Sequence, residues 1–229
     1  MRLRLIYKGF LSYGVLRPFA KVVAAFLCLV SPAMAAEPVT VLALGDSLTQ
    51  GYGLPEQDGL VPQMRKWLDN QGVEAELINA GVSGDTTAGG AARVEWSLTP
   101  EVDAMIVALG GNDLLRGIDP AVSRRNIEEI LRVADAQGVE VLLVGLRAPG
   151  NYGADYKMAF DAIYPDLSEV YDTLFMPDFF AGLGEGDPST LQKLFQADGI
   201  HPNAEGVARI VEGLGPQVRD LIAAAQAED

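Results

Sequence analysis

The sequence predicts an α/β fold in which a parallel sheet of about five strands carries helices on both faces. Three observations predict it. Short, near-continuous apolar runs recur along the chain, helical patterns separate them, and no linker or repeat interrupts the alternation. VTVLAL (39–44), AELINA (75–80), DAMIVAL (103–109) and VEVLLVGL (139–146) read as strands of the kind buried on both faces, and TLFM (173–176) as a short fifth. Helical stretches fall at roughly 58–71, 87–97, 120–137 and 154–171, and from about 203 onward. In the third, Ile127, Ile130, Leu131 and Ala134 make one apolar face at i, i+3, i+4, i+7. The last places Val207, Ile210, Val211, Leu214 and Val218 at similar spacing, and Pro216 after Gly215 is expected to weaken or kink it.

The first 35 residues stand apart from this pattern. Arg2, Arg4, Lys8, Arg17 and Lys21 precede a nine-residue apolar stretch, VVAAFLCLV (22–30), and Ala33-Met34-Ala35 follows. A basic start, a short apolar centre and small residues at −3 and −1 make an export signal peptide, 1–35, ahead of a single domain, 36–229. Nine apolar residues are too few to span a bilayer, so no stable membrane anchor is expected after cleavage. Cys28, preceded by Leu27, does not make a lipoprotein site. The product is expected in the periplasm or outside the cell, as a monomer. It would hold 12 basic and 31 acidic residues, a net charge of −19. Such a surface repels phosphate backbones, which excludes nucleic acid as a partner. The sole cysteine lies in the leader, which excludes disulfides and thiolate metal sites from the mature domain.

In parallel sheets ligands bind beyond the carboxyl ends of the strands. Three of those ends are rich in glycine and short polar residues: GDSLTQG (45–51), GVSGDTTAGG (81–90) and GGNDLLRG (110–117). Turn chemistry and helix capping account for any one of them, and Asp85 or Thr86 reads as a cap. The whole chain has one histidine, His201, within Asp198-Gly199-Ile200-His201-Pro202. It is the one side chain of the ordinary near-neutral base type, and an acid three residues earlier can reach its ring. Ser47 at the end of the first strand then has a base, which a serine hydroxyl needs to become a nucleophile. The amides of Ser47 and Gly84 and the side chain of Asn112 are candidate donors for an oxyanion. Asp46 reads as a turn-holding acid and Asp113 as a loop acid. Leu114, Leu115 and Ile118, beside Asn112, favour an apolar acyl group over a sugar.

Thr49 stands where the second glycine of a G-x-S-x-G elbow would be, so that motif is absent. Taken together, GDSLTQG, the glycine within GVSGDTTAGG, GGND and DGIHP resemble the four blocks of the SGNH (GDSL-type) hydrolases. The resemblance covers almost all of 36–229. It implies a flavodoxin-like α/β/α sandwich, hydrolysis of esters or thioesters, and no cofactor or metal. It assigns Ser47 as nucleophile, Asp198 and His201 as the rest of the triad, and Ser47, Gly84 and Asn112 as oxyanion donors. LRAPGNYGADYKMAFDAIYPDLS (146–168) further resembles the bacterial thioesterase/arylesterase/lysophospholipase subgroup. There the loop after GGND closes over the acyl chain near the segment at 147–150, which marks Leu114, Leu115, Ala148 and Pro149 as substrate-binding. The subgroup reads arginine–leucine–proline where this chain reads Arg147-Ala148-Pro149, and alanine offers an expected pocket less apolar surface. A carbohydrate O-deacetylase or an acyltransferase could use the same triad, and a non-catalytic solute-binding domain, with Ser47 only a turn residue, is the alternative of a different class.

Overall fold

The computed structural model describes residues 38–185 and 187–228; the expected leader at 1–35 lies outside them. The strands are β1 (Val39–Gly45), β2 (Ala75–Gly81), β3 (Ala104–Ala108), β4 (Glu140–Val144) and β5 (Leu174–Met176). All pair in parallel in the order β2-β1-β3-β4-β5. The chain leaves β1 toward one side to make β2 and returns to the other to make β3. That reversal opens a crevice between the carboxyl ends of β1 and β3, where Gly45 lies beside Ala108.

The helices, in chain order, are α1 (Ser47–Gln50), α2 (Leu60–Gln71), α3 (Thr87–Ser97), α4 (Gly111–Arg116), α5 (Pro120–Ala136), α6 (Ala154–Asp161), α7 (Ile163–Tyr171), α8 (Pro188–Leu191) and α9 (Ala204–Glu228). α2 packs with α9, while α3, α6 and α7 pack on α5. Asp119 caps α5 by accepting from the Ala121 N–H at 2.9 Å, and Pro120 begins the helix. Its Ile127, Ile130, Leu131 and Ala134 are all buried. Each of the three larger side chains contributes about 1.5–3 kcal/mol by leaving water.

Two expectations are corrected. β2 is not buried on both faces: it is a sheet edge, and Leu77 alone of its residues is buried. Burial there follows from strand order, which local composition does not encode. The helix expected over 154–171 is two, α6 and α7, meeting at Ala162. Pro165 lacks an N–H and its ring opposes the carbonyl of Asp161, so one straight helix cannot run through. α9 carries Pro216 inside one helix. Leu214 and Val218, 1% and 0% exposed on either side of it, hold both halves against the core.

Candidate active site

Ser47 is the first residue of α1, at the point where β1 ends. Asp46 caps that turn: its Oδ1 accepts from the Leu48 N–H at 3.0 Å, and its Oδ2 accepts from Asn112 Nδ2 at 3.3 Å. Burial pushes the Asp46 carboxyl up to about 6, against the opposing pull of Leu48, Asn112 and His201. Asp46 is thus the turn-holding acid expected, and it also ties the turn after β1 to the first turn of α4.

His201 arrives from the far end of the chain, on the short loop before α9. Its Nε2 lies 2.9 Å from Ser47 Oγ and its Nδ1 2.7 Å from Asp198 Oδ2. Asp198 Oδ1 accepts from the N–H groups of Ile200 (2.9 Å) and His201 (3.0 Å). The His201 ring contact, reinforced by these two amides, holds the Asp198 carboxyl down to about 2. An ionised carboxylate can only accept, so Nδ1 carries the proton and Nε2 presents its lone pair to the serine hydroxyl. This arrangement can remove the hydroxyl proton as Oγ attacks a carbonyl carbon.

Among the described residues, no acceptor takes the N–H of Ser47 or of Gly84. Gly84 has φ +82°, a left-handed conformation suited to glycine, and its carbonyl accepts from Arg116 Nη2 at 2.8 Å. These two amides and the Asn112 side chain border one cleft of about 720 Å³, together with Asp198, His201, Leu114, Leu115 and Pro149. Ala148 is not on its wall. It is 2% exposed in the core, its N–H donates to Asp161 Oδ1 at 2.7 Å and its carbonyl accepts from Lys157 Nζ at 2.7 Å. The expected loss of pocket surface at this position therefore does not arise. Ile118 also lies off the wall; its carbonyl accepts from Tyr156 Oη at 2.9 Å.

The apolar wall includes residues that sequence reasoning passed over: Leu146, Tyr152, Phe180 and Phe195. Leu146 follows β4, so inspecting every strand end would have found it. Phe180 and Phe195 sit in irregular segments where no periodicity marks a wall. Two acids also differ from expectation. Asp85 is not a cap, since Thr86 takes the cap position of α3, with no side-chain capping bond; Asp85 accepts from Arg93 Nε at 2.8 Å while Arg93 Nη2 donates to Gly45 O at 2.9 Å. Asp113 is no loop acid: it lies within α4, 0% exposed, and accepts from Thr87 N, Thr87 Oγ1 and Ser123 Oγ. Among the described residues, no group of three or more His, Cys, Asp or Glu could hold a metal ion.

The model of the GDSL-like Lipase/Acylhydrolase family matches residues 43–209, which hold the serine, both oxyanion-loop candidates and the Asp198–His201 pair. The chain belongs to this family. Its relatives include the esterase TesA of Pseudomonas aeruginosa, 38% identical over 197 residues that cover 86% of this chain and 96% of that one. A thioesterase 1/protease 1/lysophospholipase L1 of Escherichia coli is 35% identical over 190 residues, 82% of this chain and 87% of that one. An arylesterase of Vibrio mimicus is 34% identical over 188 residues, 82% of this chain and 90% of that one. Among solved structures, a crystal structure of TesA aligns at TM-score 0.72 and 37% identity, covering 80% of this chain and 99% of that one. AlinE4, an SGNH-hydrolase family esterase, aligns at 0.66 and 40%, covering 84% and 98%. This GDSL-family chain is accordingly a hydrolase of ester bonds, a serine esterase with the α/β fold of the SGNH enzymes.

Proposed function

We propose that Ser47 is the nucleophile, His201 the general base and Asp198 the orienting acid of an acyl-transfer mechanism on carboxylic esters and thioesters. Ser47 Oγ attacks the acyl carbon as its proton passes to His201 Nε2. The oxyanion forms against the amides of Ser47 and Gly84 and the Asn112 side chain. The imidazolium then gives its proton to the departing alcohol or thiol, which leaves an acyl-enzyme. Water, deprotonated by the same imidazole, attacks that ester, and the released acid restores the serine. The observation that carries this reading is the unbroken contact chain Ser47 Oγ, His201 Nε2, His201 Nδ1, Asp198 Oδ2, at 2.9 and 2.7 Å.

The substrate class is an aryl ester, acyl thioester or lysophospholipid with an apolar acyl group. Leu114, Leu115, Leu146 and Phe180 on the cleft wall support an acyl chain over a sugar ring. The names of the relatives, esterase, thioesterase, arylesterase and lysophospholipase, support the same range. The protein is exported, loses residues 1–35 and works as a monomer in the periplasm or outside the cell. Among the described residues no helix is long and apolar enough to cross a membrane.

The test is turnover of p-nitrophenyl butyrate and acyl-CoA thioesters of graded length by the exported protein, with fluorophosphonate labelling. Turnover with label on Ser47 is expected; turnover with label elsewhere contradicts the assignment. N-terminal sequencing should begin at Ala36, and light scattering should give the mass of one mature chain.

A further inference from the structure

The turn Gly51-Tyr52-Gly53 has no part in the chemistry above, yet it sets an aromatic ring over the proposed base. The Tyr52 and His201 ring centroids are 4.7 Å apart, with their planes tilted by 40°. Tyr52 is half-exposed on the cleft wall, so burial alone does not hold it there. Hydrogen bonds do. Its N–H donates to Ser47 O at 3.1 Å, and its carbonyl accepts from Gln196 Nε2 at 2.8 Å.

Gln196 is the link between the two halves of the site. The same Nε2 donates to Pro202 O at 3.0 Å, and the Gln196 N–H donates to His201 O at 2.7 Å. One residue thus grips the turn that follows the serine and both carbonyls at the histidine. Gly53, with φ +74°, leaves room for that side chain: a Cβ there would lie 2.3 Å from Gln196 Oε1. Asp198 and Ser47 hold the imidazole by its two nitrogens, in the plane of the ring, and neither contact covers its face. A ring against that face opposes tilt out of the plane.

We propose that Tyr52, held by Gln196, is a positioning residue for His201. Its ring limits the tilt of the imidazole and favours the imidazolium that forms when the Ser47 proton reaches Nε2. The inference rests on His201 being the base. The carboxylates facing His201 are Asp198 at Nδ1 and Asp46 at longer range. Tyr52 adds a neutral aromatic face, which attracts a cation without competing for its protons.

The experiment measures kcat and KM for p-nitrophenyl butyrate across about pH 5 to 9, in Tyr52→Phe, Tyr52→Leu, Gln196→Met and His201→Ala. Tyr52→Phe keeps the ring and should keep the parent kcat and pH profile. Tyr52→Leu keeps apolar cover without the aromatic face, and kcat should fall about five- to tenfold at unchanged KM. Its acidic limb should move to lower pH, because the imidazolium is less favoured. Gln196→Met should lose kcat similarly, and the double variant should lose less than the product of the two, since both act on one imidazole. A Tyr52→Leu enzyme with parent kcat and profile, or with a loss confined to KM, overturns the inference. So does a Tyr52→Phe enzyme as impaired as Tyr52→Leu. Activity surviving in His201→Ala would instead sink the triad, whatever Tyr52 does.

Discussion

Residues 112 and 113 are neighbours in the chain and belong to two polar clusters finished in opposite ways. Asp113 is sealed: its two carboxylate oxygens accept from Thr87 N at 2.9 Å, Thr87 Oγ1 at 2.6 Å and Ser123 Oγ at 2.8 Å. Asn126 Nδ2 closes the group by donating to Thr87 Oγ1 at 2.9 Å. Around Asn112 the donors are left open. Its amide has a long contact of 3.3 Å to Asp46, and the Ser47 and Gly84 amides meet no acceptor among the described residues. Most buried polar groups that serve the fold are saturated, because an unmade hydrogen bond there costs about 1–3 kcal/mol; Thr49 Oγ1 and Thr173 Oγ1 are buried exceptions among the described residues. Donors left open on a cleft wall fit a negative charge that arises only when substrate reacts.

The largest effect should come from the proton path. Ser47→Ala and His201→Ala should each lower kcat by about 10⁴–10⁶-fold, and the double variant should be scarcely worse, because the two act as a unit. Full activity in either single variant, measured on p-nitrophenyl butyrate, would separate that residue from the reaction. Next comes the open cluster. Asn112→Ala should cost about 10²–10³ in kcat with the thermal midpoint near that of the parent. The sealed cluster should behave the other way. Asp113→Ala strips three donors of their acceptor and should cost about 2–4 kcal/mol in urea unfolding, while the folded fraction keeps its kcat. If Asn112→Ala destabilises and Asp113→Ala only slows turnover, the contrast between the clusters is wrong.

The sequence made the open cluster far more legible than the sealed one. Strand ends carrying Gly45-Asp46-Ser47, Gly84 and Asn112, with a single histidine behind an acid, are visible without coordinates. Ser47 and His201 are 154 residues apart, but each sits beside a recognisable element boundary. Asp113 was misread because its partners, Thr87 and Ser123, lie on α3 and α5, 26 and 10 residues away, and nothing local marks them. The exposure of β2 and the aromatic wall at Phe180 and Phe195 depend on strand order and irregular chain, which periodicity does not report. Pro165 did carry the signal that splits α6 from α7.

The smallest effects concern pH and the two perturbed acids of the open cluster. Asp198, held down to about 2 by His201 and two amides, binds its proton more weakly folded than unfolded. Its contribution to stability is therefore present above an ordinary carboxyl value near pH 4 and is lost as pH falls toward 2. Asp46, pushed up to about 6 by burial, has the opposite sign: stability declines as pH rises from about 4 to 6. Urea midpoints of Asp198→Asn and Asp46→Asn across these windows should each lose the corresponding slope. A parent slope persisting in either variant would remove that acid from the account.

The central claim is that Ser47 carries the acyl group between the two halves of the reaction. Acid-quenching the enzyme within its first turnovers of p-nitrophenyl butyrate, followed by peptide mass mapping, tests it directly. The butyryl group should be found on the peptide holding Ser47, and it should be absent when His201 is replaced by alanine. Rapid turnover with no acylated peptide trapped, or with the butyryl group on another residue, would contradict it.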